Sequence, residues 1–369
     1  MDDRLADMGS ESNMVGRPPD MIVLQRGPDN LESPFSALDG FLTPADRFHV
    51  RSHFEVPRID PSSWRVSIEG EVERPFEIGI DELRGMPCRS QPALLECSGN
   101  GRIFLEHSQV GIRWGLGGVG NADWTGVPLA ALLERAGVKE GAVEVILEGA
   151  DVGEARLPQR ETPGRIAFSR SLPLAKAQSP EVILAYRMNG DDLTPAHGLP
   201  VRAVVPGWYG MASVKWLRKI VVTDQPFQGF FQTMEYAVWE RKAGLPTLVP
   251  VSEGQVKSQN ARPAPYEVIS GGSEYRMYGA AWAGNSDVAK VEISDDGGEI
   301  WTDAKLLGEP VRFAWRLWEH KWQTPKRPGP HVVMARATDS LGKTQPMRRN
   351  YDRRDGVISH VLPIEIVVR

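Results

Sequence analysis

The residues with the clearest chemical potential lie in the stretch ALLECSGNGR, residues 93–102. Cys97 ends an apolar run, and the Ser-Gly-Asn-Gly turn after it has so little side-chain bulk that a large group could approach the sulfur. A cation such as Arg102 favours the thiolate, which is the reactive form of cysteine and a good ligand for soft transition metals. Most free cysteines, in contrast, are small buried hydrophobic residues. These residues by themselves leave both interpretations of Cys97 open.

The chain contains one other cysteine, Cys88. A bridge between Cys88 and Cys97 and a pair of reduced thiols are therefore the two alternatives, and reduced thiols are the simpler expectation. No CxxC or HExxH pattern predicts a zinc site, and no serine-centred nucleophile elbow is evident. We therefore expect neither zinc chemistry nor a serine nucleophile.

Two further segments combine histidine with other basic residues. The first is HVRSH (residues 49–53), which a solvated surface strand would also explain, and the second is HGLPVRAVVPGWYG (197–210), followed by VKW (214–216). With the arginine after Cys97, they place three basic clusters in a chain whose formal net charge is -5. Clustered cations in an acidic protein indicate a local anion-binding pocket. We expect that pocket to have Cys97 at its centre.

The segment GLGGVG (residues 115–120) has the glycine spacing of a dinucleotide-binding turn. Such a turn requires a helix directly after it, so that the helix N-terminus faces the pyrophosphate. Here NADWTG intervenes before the next predicted helix, and no clear βαβ pattern surrounds the glycines. We therefore interpret the segment as a flexible glycine loop near a site rather than as a Rossmann turn.

Hydrophobic periodicity predicts the elements that would position these segments. Alternation of apolar and polar residues predicts strands, and apolar residues at helical spacing between a proline and a glycine predict a helix. The predicted helices cover 80–86 and 128–138, and the predicted strands cover 64–72, 92–97, 142–149, 201–207 and 214–223. This mixture predicts an α/β domain.

After about residue 245 the pattern changes to short strands separated by turns. The predicted elements are a hairpin over 288–306 with its turn at Asp295–Gly298, a strand and turn over 329–343, and a strand over 360–368. Such spacing is typical of a β-sandwich of immunoglobulin type.

The predicted fold class is therefore α+β, with three parts. Residues 1–45 are predicted to form a polar, proline-rich N-terminal arm that is disordered or wraps the body. Residues 46–245 are predicted to form the mixed α/β domain, and residues 246–369 the immunoglobulin-like sandwich.

Composition excludes some classes of protein. The chain of 369 residues has 25% charged and 41% hydrophobic residues, and its net negative charge argues against a nucleic-acid binder. No apolar run reaches eighteen residues, so no membrane span is expected. The acidic, polar start resembles no signal peptide, which predicts a cytoplasmic protein, or a periplasmic one if that start is processed or misassigned.

The segments named above occur in an order that resembles the sulfite oxidase family of molybdenum enzymes, whose pterin cofactor is held in an α/β domain. The resemblance runs from about residue 46 to the end of the chain. It is carried by HVRSH, CSGNGR, WGLGGVGNADWTGVPL, EGAD, SLPLAKA, LAYRMNGDDLTPAHGLPVRAVVPG, VKWL and MEY. The Cys-x-Gly-Asn turn and the Ala-His-Gly-x-Pro-Val-Arg block are its most specific parts.

The resemblance implies roles for individual residues. Cys97 matches the thiolate ligand of molybdenum, and the substrate side is implied to contain Arg51, Arg102 and Tyr236. Cofactor contacts are implied for His49, Val50, Arg51, Ser52, His53, Asp151, His197, Arg202, Val214, Lys215 and Trp216. Among these, His197, Arg202 and Lys215 would supply cations for the pterin phosphate, and Asp151 would accept hydrogen bonds from pterin N–H groups.

The resemblance also implies the reaction: oxidation of sulfite to sulfate by oxygen-atom transfer at a molybdenum–molybdopterin centre. No haem-binding domain is found before residue 46, so electrons are expected to pass to an external acceptor such as a c-type cytochrome. The C-terminal domain matches the family's dimerisation domain and predicts a homodimer, and the clustered Trp315, Trp318 and Trp322 are candidates for an apolar surface that the partner covers.

One departure from the family pattern concerns the substrate. Members often carry an arginine directly before Gly-Val near the chain end, whereas this chain has Asp355 there and Arg354 beside it. Either Arg354 takes that role or the pocket accepts another substrate. Three alternatives therefore stay open. The first is a nitrate or S-oxide reductase, and the second is a sulfane dehydrogenase-type sulfur-oxidation subunit with a cytochrome partner. The third is a cofactor-free binding protein whose function resides in the sandwich domain.

Overall fold

The computed structural model describes residues 21–106, 111–157, 160–354 and 356–369. Strands dominate these ranges, and the helices are short. The strands are β1 (Ile22–Gln25), β2 (Asn30–Glu32), β3 (Val50–Arg51), β4 (Arg65–Gly70), β5 (Phe76–Gly79), β6 (Arg89–Glu96), β7 (Val119–Pro128), β8 (Glu144–Gly153), β9 (Arg156–Leu157), β10 (Arg160–Glu161), β11 (Ile166–Pro173), β12 (Ile183–Met188), β13 (Asp191–Asp192), β14 (Arg202–Val204), β15 (Leu217–Thr223), β16 (Ala237–Lys242), β17 (Leu245–Pro250), β18 (Lys257–Arg262), β19 (Val268–Ile269), β20 (Glu274–Trp282), β21 (Val288–Ser294), β22 (Thr302–Asp303), β23 (Lys305–Leu306), β24 (Arg316–Gln323), β25 (Gly329–Asp339) and β26 (Ile364–Val368).

The α-helices are α1 (Ile80–Arg84), α2 (Leu129–Ala136) and α3 (Leu174–Ala177). A single π-helix covers Phe231–Glu235, and short 3-10 turns cover Phe35–Ala37, Ala45–Arg47, Arg102–Phe104, Pro195–His197, Gly210–Ala212 and Tyr351–Arg353. The helices and strands predicted from periodicity are confirmed, each within a few residues of its predicted limits.

The first domain contains a five-stranded sheet in the order β11-β8-β15-β4-β5. Its β15 and β4 run parallel, while the other neighbours are antiparallel. Exposure alternates along β8, because successive residues of a strand point to opposite faces of its sheet. Helix α2 buries Leu129, Leu132, Leu133 and Ala136, which lie on one face of the helix. These residues share one core with the buried side chains of the sheet.

A second sheet carries the stretch that ends at Cys97. Its order is β13-β12-β7-β6, and β14 also pairs with β12. Strands β6 and β7 are paired from Arg89 opposite Gly126 to Glu96 opposite Val119, so the start of β7 lies beside the end of β6. The glycine segment 115–120 therefore lies next to Cys97 and leads into a strand. Without a following helix, the dinucleotide-binding alternative is excluded.

Residues 21–45, the described part of the predicted arm, pack onto this domain. Strands β1 and β2 form a three-stranded sheet with β3. The buried carboxylate of Glu32 accepts hydrogen bonds from the backbone N–H groups of Gly115 (2.9 Å) and Gly117 (3.1 Å). The arm thus holds the glycine loop in place. Since His49 and Ser52 are buried, the interpretation of HVRSH as a solvated surface strand is wrong.

The C-terminal part of the chain contains two further sheets, in the orders β18-β20-β24-β23 and β19-β26-β25-β21-β22. Buried residues of both sheets share one core, in which Trp318 of the first sheet and Val333 of the second take part. A second β domain is therefore confirmed, whereas its immunoglobulin type and the boundary at residue 246 stay predictions. Trp315, Trp318 and Trp322 are buried within this core, so they provide no exposed surface for a partner.

Among the described residues, no helix is both long and apolar enough to span a membrane.

Candidate active site

Two cavities meet at Cys97. The first has a volume of about 680 Å³ and the second of about 560 Å³. Cys97, Ser98, Arg51 and Tyr236 line both cavities, so the sulfur stands at their junction.

The structure brings most of the predicted site residues together. The first cavity is lined by His49, Arg51, Ser52, His53, Cys97, Asp151, His197, Arg202, Lys215, Trp216 and Tyr236. Arg102 lines the second cavity. Two predicted contacts are different, because the side chain of Val50 packs in a small core with Leu31, and that of Val214 packs in the main core.

Backbone hydrogen bonds fix the position of Cys97. Its N–H donates to the carbonyl of Gly118 (2.8 Å), and its carbonyl accepts from the N–H of Asn100 (2.8 Å). Burial raises the pKa of the thiol, and the charges of Arg51 and Arg102 only partly offset this effect. The expectation that the charge of Arg102 favours the thiolate is confirmed in direction, but desolvation outweighs this effect in the cofactor-free chain. Both cysteines are free, which excludes the disulfide.

Arg51 is oriented by a residue of the arm. Its Nη1 donates to Oδ1 of Asn30 (3.3 Å) and to the carbonyl of Ser52, and the backbone N–H of Ser52 donates to the same Asn30 oxygen (3.1 Å). Asn30 is fully buried. The sequence offered no signal for this residue, because a single asparagine in a proline-rich segment forms no motif.

Lys215 and Arg202 are basic side chains that line the first cavity. Burial and the charge of Arg202 lower the pKa of Lys215 well below its ordinary value, and the nearby Asp151 opposes that shift. Nζ of Lys215 donates to Oγ of Ser52 (3.2 Å) and to the carbonyl of Ala196 (2.8 Å). The guanidinium of Arg202 donates to the carbonyls of His197 (3.2 Å) and Ser213 (3.0 Å). Burial lowers the pKa of Arg202 to about 9, so it stays protonated at neutral pH.

Two of the three histidines that line this cavity, His49 and His197, are neutral at pH 7. Burial lowers the pKa of His49 and of His197 to about 3. Nε2 of His197 lies 2.9 Å from the carbonyl of Ala45, so this nitrogen is the donor of the neutral ring. The expectation that His197 supplies a cation is therefore wrong. Of the three residues predicted to supply cations for the pterin phosphate, Arg202 and Lys215 remain.

Two residues that line the first cavity have a buried polar atom without a hydrogen-bond partner among the described residues. These atoms are Nδ1 of His49 and Oδ1 of Asp151. Burial raises the pKa of Asp151 to about 7, and the nearby Lys215 opposes that rise. A buried polar atom is costly unless a ligand or water satisfies it. A polar heterocycle with N–H donors and an anionic phosphate suits these atoms and the adjacent cations, so the residues present fit a pterin cofactor.

Tyr236 follows the π-helix Phe231–Glu235, an element that often occurs at functional sites. The fully buried Arg170 fixes this turn by donating to the carbonyls of Phe231 and Val251 (2.6 Å). The hydroxyl of Tyr236 lies 2.6 Å from Nε2 of His53. Burial raises the pKa of Tyr236 to about 12, so the hydroxyl keeps its proton at neutral pH and can donate a hydrogen bond.

The second cavity is rich in arginine. Arg51, Arg102, Arg353 and Arg354 all line it. Nη1 of Arg102 donates to the carbonyl of Ile112 (2.6 Å), and Nη1 of Arg354 donates to the carbonyl of Ala237 (3.0 Å). The cavity is therefore electrostatically suited to a small anion. Asp355, the position that departs from the family pattern, lies outside the described residues.

Comparison with known proteins identifies this arrangement. The sequence matches the oxidoreductase molybdopterin binding domain over residues 53–231 and the Mo-co oxidoreductase dimerisation domain over residues 250–360. It is 35% identical to sulfite oxidase of Gallus gallus over 351 residues, covering 89% of this chain and 74% of that protein. The chain belongs to the sulfite oxidase family. It is thus a molybdenum-dependent oxidoreductase with a molybdopterin-binding domain, and the predicted family is confirmed.

Other members of the sulfite oxidase family are longer than this chain. Mitochondrial sulfite oxidase of Mus musculus is 32% identical over 89% of this chain, which covers 62% of that protein. The NADH nitrate reductase of Solanum lycopersicum is 32% identical over 92% of this chain, which covers 40% of that protein. Among solved structures, the sulfane dehydrogenase SoxCD from Paracoccus pantotrophus matches with a TM-score of 0.82 and 25% identity, covering 98% of this chain and 93% of that one.

Several residues of this sulfite oxidase-type site were not predicted from the sequence. Ser98 lines both cavities and lies inside the quoted CSGNGR turn, so its position was the available signal. Phe168 stacks on the ring of His53 at a centroid distance of 4.4 Å. Phe168 and Arg170 belong to β11, and nothing local in that strand distinguishes them from ordinary core residues.

Proposed function

We propose that this chain oxidises sulfite to sulfate at a molybdenum–molybdopterin centre and passes the electrons to a separate acceptor. The observation that carries the proposal is the position of Cys97 at the junction of two cavities, one lined by most of the predicted cofactor contacts and the other rich in arginine. A thiol placed there could ligate a metal whose remaining coordination positions face the anion. The sulfite oxidase relatives support the same substrate.

The cofactor would be held by the first cavity. In this proposal Cys97 ligates molybdenum, Asp151 accepts hydrogen bonds from pterin N–H groups, and Arg202 and Lys215 neutralise the phosphate. Nδ1 of His49, which has no partner among the described residues, accepts a hydrogen bond. When bound, the cofactor supplies a transferable oxygen atom and accepts two electrons, while the protein binds, orients and shields it.

The substrate would occupy the second cavity. Arg51 and Arg102 stabilise the negative charge of sulfite, and a guanidinium can donate two parallel hydrogen bonds to an oxyanion. Tyr236, which stays protonated, donates a further hydrogen bond and orients the anion. Arg354 lines the same cavity, and we propose that it takes the role of the family arginine that Asp355 replaces.

Two other substrates have support from the comparisons. The likeness to an NADH nitrate reductase supports nitrate, which is also a small oxyanion. The likeness to sulfane dehydrogenase SoxCD supports a reduced sulfur substrate instead. We place both second to sulfite, because four arginines around one cavity favour an anion and because sulfite oxidases are among the similar relatives.

We further propose that the C-terminal sandwich is of the immunoglobulin type and pairs two subunits. The match to the Mo-co dimerisation domain supports this assembly. Electrons would leave to an external acceptor such as a c-type cytochrome, with no haem held by this chain.

The decisive experiment measures molybdenum content and steady-state kinetics on one purified preparation. We expect about one molybdenum per chain and sulfite-dependent reduction of cytochrome c, with much slower turnover of nitrate, S-oxides and thiosulfate. If molybdenum-loaded protein does not oxidise sulfite but reduces nitrate or oxidises a sulfane, the assignment of sulfite as the substrate is wrong. Protein that folds and never binds molybdenum would contradict the cofactor as well.

A further inference from the structure

A fully buried polar network joins the C-terminal domain to the turn that contains Cys97. Glu96 directly precedes Cys97, and Asn100 lies within the same turn. Both side chains are buried, at 3% and 0% exposure. Their partners come from β18 and β20, about 160 residues or more further along the chain.

The carboxylate of Glu96 is held by a cross-strand pair. Lys257 of β18 and Trp282 of β20 are directly opposite each other in the ladder. Nζ of Lys257 donates to Oε1 of Glu96 (2.9 Å), and Nε1 of Trp282 donates to Oε2 (2.9 Å). Both carboxylate oxygens are thus occupied by rigid groups of the second domain.

The other end of the turn is held by the same strand. Lys257 and Gln259 are two positions apart in β18, so their side chains point to one face of the sheet. Nζ of Lys257 also donates to the carbonyl of Asn100 (2.9 Å). Oε1 of Gln259 accepts from Nδ2 of Asn100 (2.8 Å), and Nε2 of Gln259 donates to the carbonyl of Leu116 (3.0 Å) in the glycine loop.

These contacts fix the residues on both sides of the proposed metal ligand. Oδ1 of Asn100 accepts from the N–H of Gly118 (3.2 Å), and the carbonyl of Gly118 accepts from the N–H of Cys97. The backbone of Cys97 is therefore clamped between Glu96 and Asn100. Neither residue can move without breaking a buried hydrogen bond and leaving a buried polar group without a partner.

A stabilising role is a poor explanation for this network. The side chains of Lys257 and Glu96 are 1% and 3% exposed, and the desolvation of such a buried ion pair offsets most of its attraction. Apolar replacements of buried ion pairs are often neutral or stabilising. The location of this ion pair beside Cys97 therefore requires another explanation. Residues that orient a metal ligand offer one, because their loss commonly changes metal binding and activity by about ten- to a hundredfold.

We propose that Lys257 and Gln259 are positioning residues for Cys97, acting through Glu96 and Asn100, so that the C-terminal domain sets the orientation of the metal ligand. The inference rests on the proposed assignment of Cys97 as the molybdenum ligand. It gives the C-terminal domain a part in the active site in addition to its proposed part in assembly.

The test uses two variants of the full chain in a Cys88→Ser background, where Cys97 is the only cysteine. The first is the double substitution Lys257→Met with Glu96→Gln, which removes both charges together and leaves no buried charge unpaired. The second is Gln259→Met, which removes the hydrogen bonds of Gln259 to Asn100 and Leu116 without changing any charge. The matched control is Lys176→Met with Glu181→Gln, which removes a well-covered ion pair (3.7 Å) elsewhere in the protein.

The first readout needs no cofactor. We expect iodoacetamide to alkylate Cys97 about tenfold faster in both variants than in the parent or the control, since a released turn lets this cavity-lining thiol adopt more accessible orientations. The second readout uses loaded enzyme. We expect kcat for sulfite to fall about tenfold with KM changed by less than about twofold, and X-ray absorption at the molybdenum edge to report altered metal–sulfur distances.

Alkylation rates and kcat within about twofold of the parent in both variants would overturn the proposal, as would equal changes in the control. If the double variant fails to fold, Gln259→Met decides alone. Failure of the proposed function is distinguishable, because loaded parent enzyme would then not oxidise sulfite, whereas the alkylation rates would still separate the variants from the control.

Discussion

The hydroxyl of Tyr236 lies 2.6 Å from Nε2 of His53, and this contact joins a residue shared by both cavities to one that lines only the first. His53 is itself fixed between the rings of Phe168 and Phe231, at centroid distances of 4.4 and 4.9 Å. The orientation of the tyrosine on the substrate side is therefore set from the cofactor side.

Tyr236→Phe should remove a donor to the substrate while preserving the ring. A hydrogen bond to a charged group contributes about 1.5–3 kcal/mol, so kcat/KM for sulfite should fall about ten- to a hundredfold. Molybdenum content should stay unchanged. Steady-state kinetics on metal-quantified protein provide the measurement, with the exposed Tyr266→Phe as a control expected to be silent. Unchanged kinetics in Tyr236→Phe would show that the hydroxyl does not contact the substrate.

Cys97→Ser should abolish molybdenum-dependent activity, because serine replaces a soft thiolate with a poor ligand. The fold should survive, since the backbone of Cys97 makes its own hydrogen bonds. Cys88→Ser, at an exposed thiol, should leave activity and metal content near those of the parent. Metal analysis, circular dichroism and sulfite kinetics on both variants test the assignment. Full activity in Cys97→Ser, or equal loss in both variants, would contradict it.

Arg102→Met and Arg202→Met should fail in different ways. Arg102 lines only the second cavity, so its loss should lower kcat/KM for sulfite about ten- to a hundredfold without releasing the cofactor. Arg202 lines only the first, so its loss should reduce bound pterin, and activity should fall in proportion. Pterin content and kinetics are measured on the same preparations.

An exposed arginine provides the control for this pair, because Arg156 is 80% exposed and its contact with Glu154 is solvated. Arg156→Met should therefore behave like the parent protein. Retention of normal kcat/KM by fully loaded Arg102→Met would mean that the substrate is bound elsewhere.

The cofactor-free protein should lose stability as the pH falls below about 6.5. The folded-state pKa of both His49 and His197 is lowered to about 3, below the unfolded value. Their contribution is therefore present above pH 6.5 and is lost as the pH falls toward 3. Each histidine lowers the free energy of unfolding by up to about 1.4 kcal/mol per pH unit in that window.

Urea unfolding of cofactor-free protein between about pH 6.5 and 5 measures this effect. His197→Gln is the control, because glutamine cannot titrate and its amide can still donate to the carbonyl of Ala45. We expect the unfolding free energy of the variant to depend less steeply on pH than that of the parent. The difference in slope should be up to about 1.4 kcal/mol per pH unit, which is the contribution of one histidine. Parallel curves for the two proteins would show that His197 is not a buried neutral group.

Much of the site could be predicted from the sequence because its parts are local. Cys97 with its turn, HVRSH and the block that contains His197 and Arg202 are short segments whose types and spacing suggest an anion pocket around a thiol. Periodicity located the strands that lead to Cys97 and contain Arg202, but not the short strand within HVRSH. It missed β7, because the glycines that begin this strand were interpreted only as a loop.

What the sequence by itself determined is thus the family, a mixed α/β domain followed by a β domain, and most of the residues that line the first cavity. Only the tertiary structure decided the electrostatic state of those residues, since burial makes His197 neutral and keeps the Cys97 thiol protonated. It also decided the partners that hold the site, namely Asn30 on Arg51 and Lys257 on Glu96. The reason is physical: desolvation and contacts between distant segments depend on what surrounds a side chain, and neighbouring letters of the sequence do not contain that information.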